Sequence, residues 1–308
     1  MKLVLREILC AVDMSPTTAQ LVDFAAALSS HYGATLVIFH ALYRAPDTFS
    51  GTDELNLGNA PAAIREDVYR RLVGFMRGHR CAWRAVLARG EPVEETVRVA
   101  GRYGVELAIA RRHSLPALRK IFRWTLIERL ARQLEAPLLV LPPGEAPGRR
   151  PVYLSETFRR ILLACDLNPR GRRAQLLGLG LAGDFAAELH LFHAVKAPVD
   201  EQLVNPTEAP YWQVQEILQE KLRHKLRDLA APLGKERVDV VTALRPGPAA
   251  EAICEYARGT AATLVVVGAR RHGKLGKLLL GSTTETVLRN APCAVLVVPE
   301  EAGGTARP

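Results

Sequence analysis

The second half of the chain repeats the first. Ile8–Asp13 (Ile-Leu-Cys-Ala-Val-Asp) matches Ile161–Asp166 (Ile-Leu-Leu-Ala-Cys-Asp), and the Phe-His-Ala of Phe39–Ala41 recurs at Phe192–Ala194. Both pairs lie 153 residues apart (161 − 8 and 192 − 39). Matches in one order and at one spacing indicate two homologous domains. The length of 308 residues agrees, because it is about twice that of a usual domain.

Two further matches extend the repeat toward the end of each half. Ala110–His113 reads Ala-Arg-Arg-His, as does Ala269–His272, which lies 159 residues later (269 − 110). Each half then closes with a short apolar run and a proline, Pro142 in the first half and Pro299 in the second. The repeat therefore covers nearly the whole chain.

Proline, glycine and arginine crowd the region between the repeats, which is a composition typical of a linker. Apolar residues make up 48% of the chain, enough for each domain to have a core of its own. The predicted organisation is a first domain over 1–143, a linker over 144–157, a second domain over 158–300 and a disordered tail over 301–308.

Short apolar runs alternate with longer amphipathic stretches in both halves. Continuous runs such as Leu264–Val267 and Val295–Val298 are typical of strands buried on both faces, as in a parallel sheet. Strand–helix alternation repeated five times predicts an α/β fold with two tandem, doubly wound, parallel five-stranded sheets. In the second half, the predicted strands cover 160–165, 187–194, 237–244, 263–268 and 293–298. The predicted helices cover 17–32, 62–77, 92–103 and 125–134 in the first half, and 170–186, 212–231, 248–258 and 282–290 in the second.

The composition favours a cytoplasmic protein. No apolar run approaches the roughly 20 residues that span a bilayer, so no membrane association is expected. The N-terminal segment Met1–Glu7 becomes charged again too soon for a secretory signal. The formal net charge of +9 suits nucleic acid, anionic lipid or phosphorylated ligands, but an arginine-rich composition explains it equally well. Nucleic acid is not expected, because no aromatic platform accompanies the basic loops.

The five cysteines indicate neither a disulfide framework nor a zinc site. Their number is odd and no Cys-x-x-Cys occurs, so we expect reduced thiols. No cluster of histidines has the spacing of metal ligands either. We therefore expect no structural metal.

A glycine-rich segment follows the fourth predicted strand of the second half. Gly268 ends the strand, and Gly281 and Ser282 open the next helix. Ligands of α/β sheets bind beyond the carboxyl ends of the strands, where a glycine lets the ligand approach the backbone closely. The start of a helix offers free N–H groups and the positive end of the helix dipole. This pattern predicts a phosphate site in the second domain.

The same helix start also has a purely structural interpretation. Ser282–Glu285 reads S-x-x-E, which is the pattern of a capping box. The first half keeps the cap as T-x-x-E, but Trp124 stands in place of Gly281, and Ile109 aligns with Gly268. The glycines of the second half are therefore not required by the helix alone. The first domain is predicted not to bind phosphate.

These segments resemble the universal stress protein family. The resemblance rests on the Ile-Leu-x-Ala-x-Asp opening, on the Phe-His-Ala of the second strand, and on the ending Leu278–Glu285 followed by Ala291–Pro299. It covers both halves, nearly the whole chain. It implies a role in stress response and the strand order 3-2-1-4-5 in each domain.

ATP-binding members of that family carry a loop of the form G-x2-G-x9-G-[S/T]. Gly268, Gly281 and Ser282 match this pattern, whereas the middle glycine position holds Arg271 and Gly273 lies two residues later. Arg271 has two interpretations. It points outward and pairs with a partner, or its guanidinium supplies a charged clamp that replaces lost backbone contacts to phosphate.

The resemblance implies a site for ATP in the second domain, with Mg²⁺ entering only together with ATP. Asp166 would then lie near the adenosine moiety. The residues implied for the base and ribose are Ala194, Val267 and Gly268, and those for the phosphates are Gly281, Ser282 and Thr283, with Arg271 as the candidate clamp.

Two aspartates and two histidines also have structural interpretations. Asp13 and Asp166 each follow the first strand of a domain, where a carboxylate can accept hydrogen bonds from the next turn, and we favour this for Asp13. His40 and His193 lie at strand ends, where a structural role is favoured over a catalytic one.

We expect a stress-response protein that binds ATP or a related nucleotide in its second domain and signals through partner contacts. One alternative is an interaction scaffold that binds no nucleotide, which Arg271 and the altered loop of the first half favour. Another is a slow ATPase, for which no residue offers an evident base to activate water. The resemblance also implies dimer contacts through the fifth strands, at 138–141 and 293–298, either between chains as a homo-oligomer or within the chain as a pseudo-dimer.

Overall fold

The chain folds into two compact units, Val4–Leu154 and Ser155 onward, with the residues before Val4 grouped with the second unit. The computed structural model describes residues 3–42, 62–112, 126–143, 152–167, 171–195, 211–231, 238–269 and 280–300. Within these ranges, no helix is both long and apolar enough to cross a membrane.

The first domain alternates strands with helices. Its strands are β1 (Glu7–Ala11), β2 (Thr35–Leu42), β3 (Trp83–Arg89), β4 (Leu107–Arg111) and β5 (Leu138–Leu141). Its helices are α1 (Thr18–Tyr32), α2 (Ala62–Phe75), α3 (Pro92–Tyr103) and α4 (Leu126–Gln133). A four-residue helix, α5 (Leu154–Thr157), lies within the predicted linker.

The second domain repeats this alternation. Its strands are β6 (Arg160–Ala164), β7 (Glu188–Val195), β8 (Val240–Pro246), β9 (Leu264–Ala269) and β10 (Ala294–Pro299). Its helices are α6 (Arg172–Phe185), α7 (Tyr211–Ala230), α8 (Ala249–Gly259) and α9 (Ser282–Asn290).

The strands within each domain pair in parallel. The order is β3-β2-β1-β4-β5 in the first domain and β8-β7-β6-β9-β10 in the second. Both are the order 3-2-1-4-5 when strands are counted within their own domain. The predicted fold class, two tandem doubly wound α/β domains, is confirmed.

Apolar runs in the sequence become strands that are buried on both faces. Ile8, Leu9 and Cys10 of β1 have no exposed surface, and the same holds for Ile161 and Leu162 of β6. Such strands suit a parallel sheet because helices cover both of its faces. The predicted helices and strands agree with the observed ones to within a few residues. The largest strand difference is at β8, which begins at Val240 and continues to Pro246, because its pairing with β7 starts at Leu189 and ends at Val195.

Burial also determines which thiols are accessible. Cys10, Cys165, Cys254 and Cys293 are buried, whereas Cys81 is partly exposed. Burial raises the pKa of Cys10 and of Cys165 to about 12 in each case. The reactive species is the thiolate, so these two thiols are inert near neutral pH.

We therefore expect one thiol per native chain to react quickly with Ellman's reagent at pH 8, and all five to react after unfolding in guanidinium. The Cys81→Ser variant should lose the fast phase and keep the rest. A fast reaction of two or more thiols in the folded wild-type protein would show that the buried strands open readily, contrary to the packing described above.

Candidate functional site

The carboxyl ends of β6 and β9 form the edge at which the winding of the second sheet reverses. β6 pairs with β7 on one side and with β9 on the other, so the chain leaves these neighbouring strands toward opposite faces. Open α/β sheets bind ligands in the crevice at this point. The first domain has the corresponding edge at β1 and β4.

A histidine fixes the backbone at this edge in both domains. The Nδ1–H of His193 donates to the carbonyl oxygen of Cys165 at 2.6 Å, and His40 donates in the same way to Val12 at 2.8 Å. A carbonyl oxygen can only accept, so the tautomer is set at this nitrogen. The structural interpretation of these histidines is supported.

The turn after the first strand differs between the domains. In the first domain, the Asp13 carboxylate accepts hydrogen bonds from the Ser15 N–H at 3.1 Å and the Thr18 hydroxyl at 3.2 Å. Asp13 therefore has the structural role that we favoured from the sequence. In the second domain, Gly171 stands at the position of Thr18, 153 residues later. A Cβ at Gly171 would lie 2.8 Å from Oδ1 of Asp166, so the glycine makes room for this carboxylate.

The strand register places an arginine of the first domain at the position of Gly268. β4 begins its pairing with β1 at Leu107, and β9 begins its pairing with β6 at Leu264. The offset between these strands is therefore 157 (264 − 107) and not 159, so Gly268 corresponds to Arg111. The alignment of Gly268 with Ile109 is wrong. The Ala-Arg-Arg-His match is displaced by two residues, because hydrogen-bond register decides which residues are equivalent.

Arg111 fills the crevice of the first domain. Its side chain crosses from the end of β4 to α1, where Nη1 donates to Oε1 of Gln20 at 3.1 Å. Its Nε is buried and has no hydrogen-bond partner among the described residues. Burial lowers the pKa of Arg111, and the neighbouring Cys10 and Asp13 oppose that shift. The guanidinium thus occupies the place where a ligand of such a sheet would bind.

The corresponding position in the second domain, Gly268, carries no side chain. Among the described residues, no other atom lies within 4 Å of a Cβ added at Gly268 or Gly281. The Thr284 hydroxyl donates to the carbonyl oxygen of Gly268 at 2.8 Å and ties the first turn of α9 to the end of β9. Thr284 is buried, with 5% of its surface exposed. The structure therefore brings Gly268 and the start of α9 together at one edge.

The start of α9 differs from the predicted capping box. Gly281 is the N-cap, with extended backbone angles (φ −61°, ψ 151°), and Ser282 is the first helical residue. The Ser282 hydroxyl is therefore one position too late to act as the cap. A glycine N-cap leaves the first-turn N–H groups without a side-chain acceptor. In the first domain, Trp124 lies outside the described residues.

The remaining predicted site residues lie at or near the same edge. Ala194 is half-buried near the end of β7, Ser282 is exposed and Thr283 is half-buried. Val267 is only 2% exposed, so its side chain belongs to the core and offers a ligand little surface. Arg271 lies outside the described residues. Within the described ranges, no three His, Cys, Asp or Glu side chains group as metal ligands.

Three residues at this edge were missed from the sequence. The sequence pattern presents Thr284 only as part of a cap, and it gives no signal for Gly171 or Arg173. The equal spacing from Arg111 to Glu128 and from Gly268 to Glu285 would have revealed the correct alignment, because an offset of 157 makes both loops the same length.

Comparison with known proteins decides the family. The model of the universal stress protein family matches twice, over residues 5–142 and 157–299. The chain belongs to the universal stress protein family. Members of this family are stress-response proteins, and this chain carries two copies of the family domain.

Single-domain universal stress proteins are similar to one half of the chain. "Universal stress protein in QAH/OAS sulfhydrylase 3'region" of Thermus aquaticus is 37% identical over 144 residues, which are 46% of this chain and 98% of that protein. "Universal stress protein A homolog 2" of Coxiella burnetii is 30% identical over 145 residues, 46% of this chain and 96% of that protein.

A two-domain arrangement is also found among solved structures. The crystal structure of a universal stress protein from Archaeoglobus fulgidus aligns over 96% of both chains, with a TM-score of 0.69 and 18% sequence identity. At this identity, the likeness concerns the fold alone.

The bond between Thr284 and Gly268 is directly testable. We expect Thr284→Val to lower the free energy of unfolding of the second domain by about 1 kcal/mol, because an isosteric side chain removes one buried hydrogen bond. Urea denaturation followed by circular dichroism measures this change. Ser282→Ala, which alters an exposed hydroxyl on the same helix, is the matched control. Equal stability of the two variants would contradict the assigned bond.

Proposed function

We propose that the second domain binds ATP or a related nucleotide at the carboxyl edge of β6 and β9, and that the first domain does not. One observation carries this proposal. At equivalent positions, Gly268 leaves the crevice of the second domain open, whereas Arg111 fills that of the first. The chain would then hold one nucleotide.

The residues present in the second domain fit a nucleotide. Gly268 and Gly281 leave room for close approach to the backbone, and the first turn of α9 offers N–H groups at the positive end of its dipole. The family resemblance assigns the phosphates to Gly281, Ser282 and Thr283 and the adenosine to Asp166, Ala194, Val267 and Gly268. Because the Val267 side chain is buried, this residue would contact the nucleotide through its backbone. Mg²⁺ would enter with ATP, held through phosphate oxygens.

We further propose that nucleotide occupancy alters a partner surface of a cytoplasmic protein in the stress response. The first domain, whose crevice holds the Arg111 guanidinium, would bind no nucleotide and would act as a packing or interaction domain. An interaction scaffold without nucleotide is the second candidate, and the filled first domain is the observation that favours it. An ATPase is less favoured, because the sequence offers no evident base to activate water.

Isothermal titration calorimetry with ATP tests the proposal. We expect one site per wild-type chain and no binding by Gly281→Trp, which copies Trp124 of the first domain, or by Gly268→Arg, which copies Arg111. Gly268 has no positive φ, and no atom of the described residues lies within 4 Å of an added Cβ, so the arginine causes no backbone strain. As an independent test, the purified protein is denatured and any nucleotide that it releases is identified.

Gly101→Arg is the matched control, since Gly101 lies exposed on α3 and an added Cβ would meet no other atom within 4 Å. This variant should bind ATP as the wild type does. If the wild type neither releases nucleotide nor binds added ATP, the binding proposal fails and the scaffold replaces it. Two sites per chain would refute the assignment of a closed first domain.

A further inference from the structure

The two domains carry a guanidinium on different elements of the same edge. In the first domain, Arg111 is on the strand and Gln20 is on the helix that follows β1. In the second domain, Gly268 is on the strand and Arg173 stands at the helix position of Gln20, 153 residues later. The same offset relates the ends of α1 and α6, whose closing residues Gly33 and Ala186 are both left-handed. The arginine of this edge therefore lies on the strand in the first domain and on the helix in the second.

Side chains at this helix position and at the end of the fourth strand can meet. In the first domain, Arg111 on the strand donates to Gln20 on the helix at 3.1 Å. In the second domain, Nη1 of the half-buried Arg173 lies 3.5 Å from the carbonyl oxygen of Pro299. Pro299 pairs with Ala269, which directly follows Gly268. The Arg173 guanidinium therefore lies at the carboxyl ends of β9 and β10, on the strand pair that carries Gly268.

The chemistry of this group suits an anion. A guanidinium stays charged at every physiological pH and presents planar N–H donors that match two phosphate oxygens. The position on α6 keeps the crevice open, whereas the same group on β4 closes it. With glycine on the strand and arginine on the helix, the second domain thus carries a cation at the rim of its crevice.

We propose that Arg173 contacts the phosphate groups of the nucleotide in the second domain and sets a preference for nucleoside phosphates over uncharged nucleosides. This inference rests on the proposed function. It assigns to helix α6 a specificity-determining residue that lies outside the glycine loop.

The test compares ATP and adenosine binding to Arg173→Gln, which copies Gln20 of the first domain. We expect ATP to bind roughly 10- to 100-fold more weakly, as for the loss of a charge-assisted hydrogen bond, and adenosine to bind as it does to the wild type. Calorimetry measures both affinities. Arg172→Gln, an exposed neighbour on the same helix, is the matched control and should change neither.

A thermal melt of each variant verifies that it is folded. Should Arg173→Gln not fold, Arg173→Lys replaces it, with weaker ATP binding and unchanged adenosine binding expected because lysine lacks the planar fork. An equal loss for ATP and adenosine, or no loss for either, would overturn the role of Arg173 while the proposed function stands. A wild type that binds no nucleotide would instead refute the proposed function itself.

Discussion

Parallel pairing of the first strand of each domain with neighbours on both sides is the constraint on which the rest of the structure depends. β6 pairs with β7 and β9, as β1 pairs with β2 and β4, and the buried apolar faces allow only one register. This pairing aligns the carboxyl ends of the strands and creates the crevice where the winding reverses. A histidine then fixes the backbone there, through His40 in one domain and His193 in the other.

Once the register is set, single residues at the strand ends decide what each crevice can do. Arg111 reaches across its edge to α1 and occupies the space itself, at the cost of a buried Nε without a described partner. Gly268 places no side chain at this position, and the hydrogen bond from Thr284 to the carbonyl oxygen of that glycine holds the start of α9 beside the end of β9. Duplicated domains can thus differ at the crevice while their sheets stay alike, because Arg111 and Gly268 lie beyond the last residues that pair with the central strands β1 and β6.

Much of the fold could be predicted from the sequence, because apolar runs such as Leu264–Val267 identify strands without any knowledge of their neighbours. The glycines of the candidate site were also visible as residue types. The alignment with Ile109 failed because a four-residue identity outweighed the equal loop lengths, and the hydrogen-bond register of the sheet shows which alignment is correct. The hydrogen bond from Thr284 to Gly268 joins residues on separate elements, α9 and β9. The local sequence does not determine which way the Thr284 side chain points, because that depends on how the two elements pack.

Photoaffinity labelling with 8-azido-ATP tests most directly whether the crevice of the second domain accepts a nucleotide and that of the first does not. Peptide mapping locates the cross-links. We expect labelled peptides at the strand ends of β6, β7 or β9, with labelling suppressed by excess ATP. Competed labelling at the ends of β1 and β4, around Arg111, would contradict it.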